Sequence, residues 1–118
     1  MSAVEVAVVP FVSGLEGAVI ELRREAASAV ARQQQLRAEA AAVRSRAAAI
    51  EDEARRAFAR GEERLARQVL ARGLGTLEAR EQLERQLEDA RRSLAGVLAT
   101  LVRTENRAWG LRGLTRPR

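Results

Sequence analysis

A seven-residue spacing of apolar side chains runs through most of the sequence and leaves few folds open to it. In the first half, apolar residues occupy every seventh position from Leu15 to Ala57. A second column, four residues later each time, runs from Val19 to Ala54 and is interrupted only by Gln33. A heptad repeat of this length winds helices into a left-handed coiled coil, because its apolar seam needs a partner. We therefore predict a long helix that pairs with a second helix.

The second half of the sequence carries the same repeat, most clearly toward its end. Its two apolar columns run from Leu87 to Ala108 and from Leu83 to Leu111. Upstream, the seam continues less regularly through Val69, Leu70 and Leu77. In both halves together, the large seam residues are Leu22, Leu36, Val43, Ile50, Leu83, Leu87, Leu94 and Leu101. The two halves have similar lengths, as the two arms of a hairpin require.

The best candidate for a reversal between the two helices is Arg60-Gly61. Glycine tolerates the positive φ that often ends a helix, and Glu62 and Glu63 suit the positive end of the next helix dipole. We predict an all-α fold, a long antiparallel two-helix coiled-coil hairpin with its turn near residues 59–62. One unbroken rod through Gly61 is the alternative, since an interior glycine costs a helix only about 1 kcal/mol.

The flanking segments divide the chain into three parts. Residues 1–14 form an apolar leader, residues 15–109 carry the hairpin pattern, and residues 110–118 form a basic tail. The glycines at positions 73 and 75 are a further irregularity within the second helix. They are interpreted either as glycines tolerated in a long helix or as a hinge.

The composition argues against catalysis and against a cofactor or metal site. The chain has no Cys and no His, which excludes disulfides, thiolate chemistry, zinc fingers and histidine acid–base catalysis. The consecutive acids Glu51, Asp52 and Glu53 point around a helix rather than converge. Gly73-Leu74-Gly75 lacks the lysine and the preceding strand of a phosphate loop. We expect a protein that is not an enzyme.

Charge and apolar exposure indicate possible partners near the chain ends. The net charge is +5, every basic residue is Arg, and the surplus is concentrated in the C-terminal tail. An apolar leader beside a Trp and uncompensated arginines suits an anionic membrane surface. The candidate contact residues are Val8, Val9, Phe11, Trp109, Arg112, Arg116 and Arg118. The alternative is that the leader and Trp109 pack over the open end of the hairpin.

Several apolar residues lie outside the main seam columns and predict homo-oligomerisation. They are Val30, Phe58, Leu65, Leu70, Leu74 and Leu98. A two-stranded seam cannot bury all of them, and exposed apolar rows usually mark contacts. The expected partners are therefore further copies of the chain, an anionic membrane surface or another protein. Nucleic acid is the least favoured, because no basic stripe with stacking aromatics is present. We expect a cytoplasmic protein, soluble or peripheral on the inner face of the cytoplasmic membrane.

The run around the turn, residues 54–72, resembles the hairpin tip of the phage shock protein A family, which includes the vesicle-inducing protein in plastids. The tip residues are Arg60, Gly61, Glu62, Glu63, Leu65, Ala66 and Arg67, with Leu70 one turn further on. Glu63-Arg64 replaces the family's acidic pair, the leader lacks a basic face, and the later helices of larger members are missing. The resemblance is therefore to a minimal or divergent member.

This resemblance implies a bacterial relative of the ESCRT-III proteins. Such proteins stack their hairpins into rods or rings and act on the inner membrane under envelope stress, and full-length forms restrain an AAA+ transcriptional activator. The expected function is that of a self-assembling, membrane-associated structural protein. Two alternatives remain open: a coiled-coil adaptor or chaperone-like hairpin of a secretion or flagellar export apparatus, and a basic nucleic-acid-associated protein.

Overall fold

The computed structural model describes residues 3–113, apart from the side chains of residues 3–5, 7, 8 and 112. It contains helix α1, Ala3–Ala59, and helix α2, Glu63–Arg112, and no strand within the described residues. The protein is thus an all-α, antiparallel two-helix hairpin. This confirms the predicted fold class and rules out a single rod through Gly61.

The chain divides into two compact units, and each contains a segment of both helices. The turn unit comprises Arg32–Ala90, and the terminal unit comprises Met1–Ala31 with Arg91–Arg118.

We letter the heptads so that the seam residues are a and d, which places Val19 at a in α1 and Leu87 at a in α2. Every buried apolar residue among those described occupies an a or a d position.

The turn is a helix C-cap followed directly by a new helix. The backbone N–H of Glu62 donates to the carbonyl of Ala57 at 2.9 Å, and the N–H of Gly61 donates to the carbonyl of Phe58 at 3.0 Å. This pair of bonds is a Schellman motif, and its left-handed residue is Gly61, with φ of 78°. The carbonyl of Glu62 then accepts the bond from Ala66 N–H at 3.0 Å that opens α2. The reversal therefore lies within the predicted residues 59–62.

The buried apolar residues of the turn unit include a cluster around Leu87. Leu87 is 2% exposed, and it clusters with the buried residues Leu36 and Ala90 and the half-buried Leu83. Toward the turn the seam narrows to small residues, with Ala47, Ala54, Ala57 and Ala66 all buried. Small side chains let the helices approach closely here.

The seam of the terminal unit continues the same columns toward the two ends of the chain. Val12, Val19 and Ala26 from α1 and Ala108 from α2 are buried. The large predicted members Leu22, Leu94 and Leu101 are half-buried, as is Leu15. The helices of this unit thus pair through the heptad positions read from the sequence.

Helix α1 does not begin at residue 15, the first residue after the predicted leader of residues 1–14. It begins at Ala3 and runs through Pro10 and Gly14. Pro10 removes one backbone hydrogen bond, and an interior proline disfavours a helix by about 3 kcal/mol. Val12, which lies seven residues before Val19, is nonetheless buried at 8% exposure. The seam column of α1 therefore extends one heptad further toward the N-terminus than the predicted start of the helix.

The upstream seam of α2 differs from the sequence prediction at Leu70 and at Leu77, which is half-buried at an e position. Leu70 is 39% exposed and occupies an e position, whereas the seam passes through Ala66, Val69 and the buried Gly73. The prediction failed because leucine was assigned to the seam by residue type. Glycine is the residue that the close approach of the helices requires at position 73. Helix α2 continues through residues 73–75 without a break.

Candidate interaction surface

The charged side chains of the described residues form ion pairs along the helices and across the seam. Within α1, Arg24 pairs with Glu21 and Arg55 pairs with Asp52, each at 2.8 Å. No buried polar or charged residue occurs among those described, and no group of three acids could hold a metal ion there.

Each unit contains an ion pair between the two helices, on one side of that unit's own seam. In the terminal unit Arg23 Nη2 lies 3.2 Å from Glu105 Oε1, and in the turn unit Arg44 Nε lies 3.0 Å from Glu84 Oε1. All four residues occupy e positions. In an antiparallel pair of helices, the e positions of both face each other on the same side of the seam. Exposed ion pairs of this kind stabilise little, but they identify which side each outer position faces.

A third cross-seam pair, Arg80 with Glu51, is more sheltered than the others. Arg80 occupies a seam a position, and its side chain is 28% exposed. The hydrogen bond from Arg80 lowers the pKa of Glu51 below the ordinary 4.5 and outweighs the opposite effect of burial. The same bond raises the pKa of Arg80. Glu51 is thus not simply one of three solvated acids, as its sequence neighbours suggested, because it neutralises a cation in the seam.

The exposed large apolar residues lie almost entirely at b and e positions. Those of α1 are Val6, Val9, Ile20, Val30 and Phe58, and those of α2 are Leu70, Leu74, Leu98, Val102 and Trp109. Phe11, at a g position, is the exception. In each unit the apolar exposure is therefore concentrated on the side marked by the e–e ion pair. We call the b and e positions of each helix its outer stripe.

In the turn unit, the outer stripes border a shallow apolar groove beside the turn. Phe58 of α1 is 61% exposed and Leu70 of α2 is 39% exposed. Both line a groove of about 250 Å³, together with Ala54, Ala66 and the flanking charges of Glu51 and Arg55. An aromatic ring with this exposure keeps much of its apolar surface in contact with water unless another apolar surface covers it. This groove is the first of two candidate contact areas.

In the terminal unit, a second groove of about 340 Å³ lies beside Trp109. Trp109 is 59% exposed and Ile20 is 50% exposed. The groove lies between the two helices, with Val19 and Ala108 also in its lining and the Arg23–Glu105 pair at its edge. Residues near the start of α1 and the end of α2 therefore lie side by side, as the hairpin prediction required. An amphipathic indole next to an ion pair suits a contact that is partly apolar and partly wet.

The structure assigns positions to most residues singled out in the sequence. At the tip, Arg60, Gly61 and Glu62 form the turn, Ala66 is buried, Leu65 is half-buried, and Glu63 and Arg67 are exposed. Val9 and Phe11 are exposed. The side chains of Val8 and Arg112, and the whole of Arg116 and Arg118, lie outside the described part of the chain. Ile20 and Val102 were missed, although assigning heptad letters to the sequence would have placed both on the outer stripe.

Among the described residues, neither helix contains a stretch apolar enough to cross a membrane. Comparison with known proteins gives no match to a family model, to a curated protein or to a solved structure.

Proposed function

We propose that this protein is a self-assembling structural hairpin that works at a membrane surface, in the manner of the phage shock protein A and ESCRT-III-like proteins that its tip resembles. The observation that carries this proposal is the one-sided exposure of large apolar residues in each unit. A hairpin that worked alone would gain nothing from this arrangement. Burial of the outer stripes between copies would contribute about 25 cal/mol for each Å² of apolar surface covered.

The membrane part of the proposal rests on the terminal unit. Val6, Val9 and Phe11 are exposed at the start of α1, and Trp109 is exposed near the end of α2. The sequence adds three arginines from position 112 onward with no acid among them. Peripheral binding commonly combines shallow apolar insertion with electrostatic attraction to anionic lipid. This combination would hold assembled hairpins on a membrane without any spanning segment.

The proposal is tested by sedimentation of the purified full chain, followed by electron microscopy with and without anionic vesicles. We expect association at tens of micromolar protein, and rods or rings whose formation is favoured by the vesicles. Leu98→Gln with Val102→Gln should weaken association, because both remove outer-stripe apolar surface. The matched control, Ala18→Gln with Ala99→Gln, places the same side chain at exposed positions outside the outer stripes and should leave association intact.

A discrete monomer that ignores vesicles would contradict the proposal and favour the adaptor alternative. The groove between Phe58 and Leu70 is the surface that such an adaptor would offer to a partner. Assembly that is normal in the absence of lipid, with no effect of vesicles, would retain the structural role and remove the membrane part.

A further inference from the structure

The outer stripe of α2 in the turn unit has a regular composition that the seam does not explain. At alternating spacings of three and four residues it contains Arg67, Leu70, Leu74, Leu77 and Glu81. Leu74 is 53% exposed and Leu70 is 39% exposed, while Leu77 is half-buried. The three leucines thus form a second apolar seam with heptad spacing, which flanks the seam that α1 covers. A seam with this period is suited to another helix of the same period.

The charges at the two ends of this stripe are arranged symmetrically about its centre. Arg67 lies seven residues before Leu74, and Glu81 lies seven residues after it. Both are exposed, and the present partner of Arg67 is Glu63 at 3.6 Å, an exposed pair within one turn of the same helix. Pairs of this kind are weak, so Arg67 can exchange its partner at little cost.

From this arrangement we propose that the turn unit carries a two-fold self-association site centred on Leu74. The outer stripe of α2 packs antiparallel against the same stripe of a second copy. In that orientation Arg67 of each chain faces Glu81 of the other, and the leucines meet between these two pairs. A parallel arrangement would place Arg67 against Arg67 and Glu81 against Glu81, which like charges disfavour. The charge order therefore selects both the occupant, a second copy, and its direction.

The neighbouring side chains fit this contact. Phe58 lies across the shallow groove from Leu70, so a second helix laid along the stripe would also cover part of its ring. A two-fold contact is self-complementary, because each chain contributes the same surface and the contact closes on itself. Such a contact produces a dimer. Growth beyond a dimer would then require a different surface, such as the outer stripe of the terminal unit. This inference rests on the proposed self-assembly and adds its geometry.

The absence of cysteine from the chain allows a direct test by single-cysteine cross-linking. Leu74→Cys places one thiol next to the proposed two-fold axis, where the two copies would bring their Cβ atoms within disulfide range. The matched control is Gln82→Cys, which is also exposed on α2 but lies at a c position. Under mild oxidation of the full chain, we expect the disulfide dimer of the Leu74 variant to form at least ten-fold faster than that of the control.

A charge exchange then tests the direction of the pairing. In the Leu74→Cys background, Arg67→Glu should slow dimer formation several-fold, and so should Glu81→Arg. The double variant Arg67→Glu with Glu81→Arg should restore the rate, because the two charges have changed places. Circular dichroism at the same concentration verifies that each variant keeps its helices. Failure of the double variant to recover would overturn the antiparallel pairing.

Other outcomes separate this site from the proposed function as a whole. If the parent chain associates but Leu74→Cys cross-links no faster than Gln82→Cys, the site is wrong and self-assembly stands. If the parent chain stays monomeric at tens of micromolar, both the two-fold site and the proposed self-assembly are wrong. If a fluorophore on Leu74→Cys becomes buried only on addition of anionic vesicles and no dimer forms, the stripe binds membrane and the two-fold site is overturned.

Discussion

Gly73 lies opposite Ile50 across the seam of the turn unit, and the missing side chain of Gly73 makes room for Ile50. A Cβ built on Gly73 would lie 2.6 Å from Ile50 Cγ2 and 2.8 Å from its Cδ1. Cβ atoms in real structures do not approach other heavy atoms so closely. The two glycines that looked alike in the sequence therefore differ, because a Cβ on Gly75 would meet nothing within 4 Å.

This difference predicts opposite effects for the same substitution. Gly73→Ala should lower the free energy of unfolding by about 1–3 kcal/mol through overpacking against Ile50. Gly75→Ala, the matched control, should raise it by up to about 1 kcal/mol, because alanine is the better helix former and nothing obstructs it. Urea unfolding followed by circular dichroism at one protein concentration measures both. Equal stabilisation by the two variants would show that the seam does not need glycine at residue 73.

The Leu87 cluster predicts where the hairpin is most easily destabilised. Leu87→Ala should cost about 2–5 kcal/mol, since it removes a large side chain from a fully covered site and leaves a cavity. Arg46→Ala, at an exposed g position, should change the free energy of unfolding by less than about 0.5 kcal/mol. Thermal and urea unfolding of both variants check the contrast. If Leu87→Ala lowers the free energy of unfolding only slightly, the seam has closed around the cavity.

The turn predicts a backbone effect that is independent of side-chain contacts. A Cβ on Gly61 would meet nothing within 4 Å, but the φ of 78° is unfavourable for L residues. Gly61→Ala should therefore cost about 1–2 kcal/mol, and Gly61→Asn should cost less because asparagine tolerates this conformation better. The order glycine, asparagine, alanine in unfolding midpoints would confirm that strain, not space, decides this position.

The Glu51–Arg80 pair predicts a contribution to stability that depends on pH. The pKa of Glu51 is lowered in the folded protein, chiefly by the hydrogen bond from Arg80. The ionised form is thus favoured by folding, and its contribution is fully present above the unfolded value near 4.5. It is lost as the pH falls through the lower, folded pKa.

The measurement compares the urea midpoint of the parent chain with that of Glu51→Gln from neutral pH to strongly acidic pH. We expect a difference that is constant above the unfolded pKa and shrinks below it. The control variant is Glu21→Gln, which removes an exposed carboxylate that pairs within its own helix. If the difference in urea midpoint between the parent chain and Glu51→Gln does not change with pH, folding does not favour the ionised form of Glu51.

The membrane proposal predicts salt-sensitive binding to anionic vesicles. Because α1 extends to Ala3 and buries Val12, deletion of the leader would also damage the seam. Replacement of the exposed residues Val6, Val9 and Phe11 by Gln is the cleaner change, with Arg112, Arg116 and Arg118 to Gln as the second variant. The first variant removes apolar surface that would insert into the membrane. The second removes three arginines, each of which contributes about 1 kcal/mol near an anionic surface. Both variants should therefore float less well with the vesicles than the parent chain does. If both variants float as well as the parent chain, the membrane proposal fails.

The sequence by itself determined the helical hairpin, the seam columns and the position of the turn. These features depend on local rules: the heptad period selects a paired helix, and glycine is the residue that best adopts the positive φ of the C-cap. The columns through Leu36 and Leu87 and the reversal around Gly61 could be predicted because each depends on residues that are close together in the sequence. The resemblance of the tip to a known family remains a prediction from sequence.

Only the tertiary structure decided which residues oppose each other across the seam. The sequence did not show that Gly73 receives Ile50 or that Arg80 pairs with Glu51. Each depends on the register between two segments far apart in the chain, and a local pattern does not specify that register. The helix start at Ala3 was also not predictable from local propensity, because α1 runs through Pro10 and Gly14 and buries Val12.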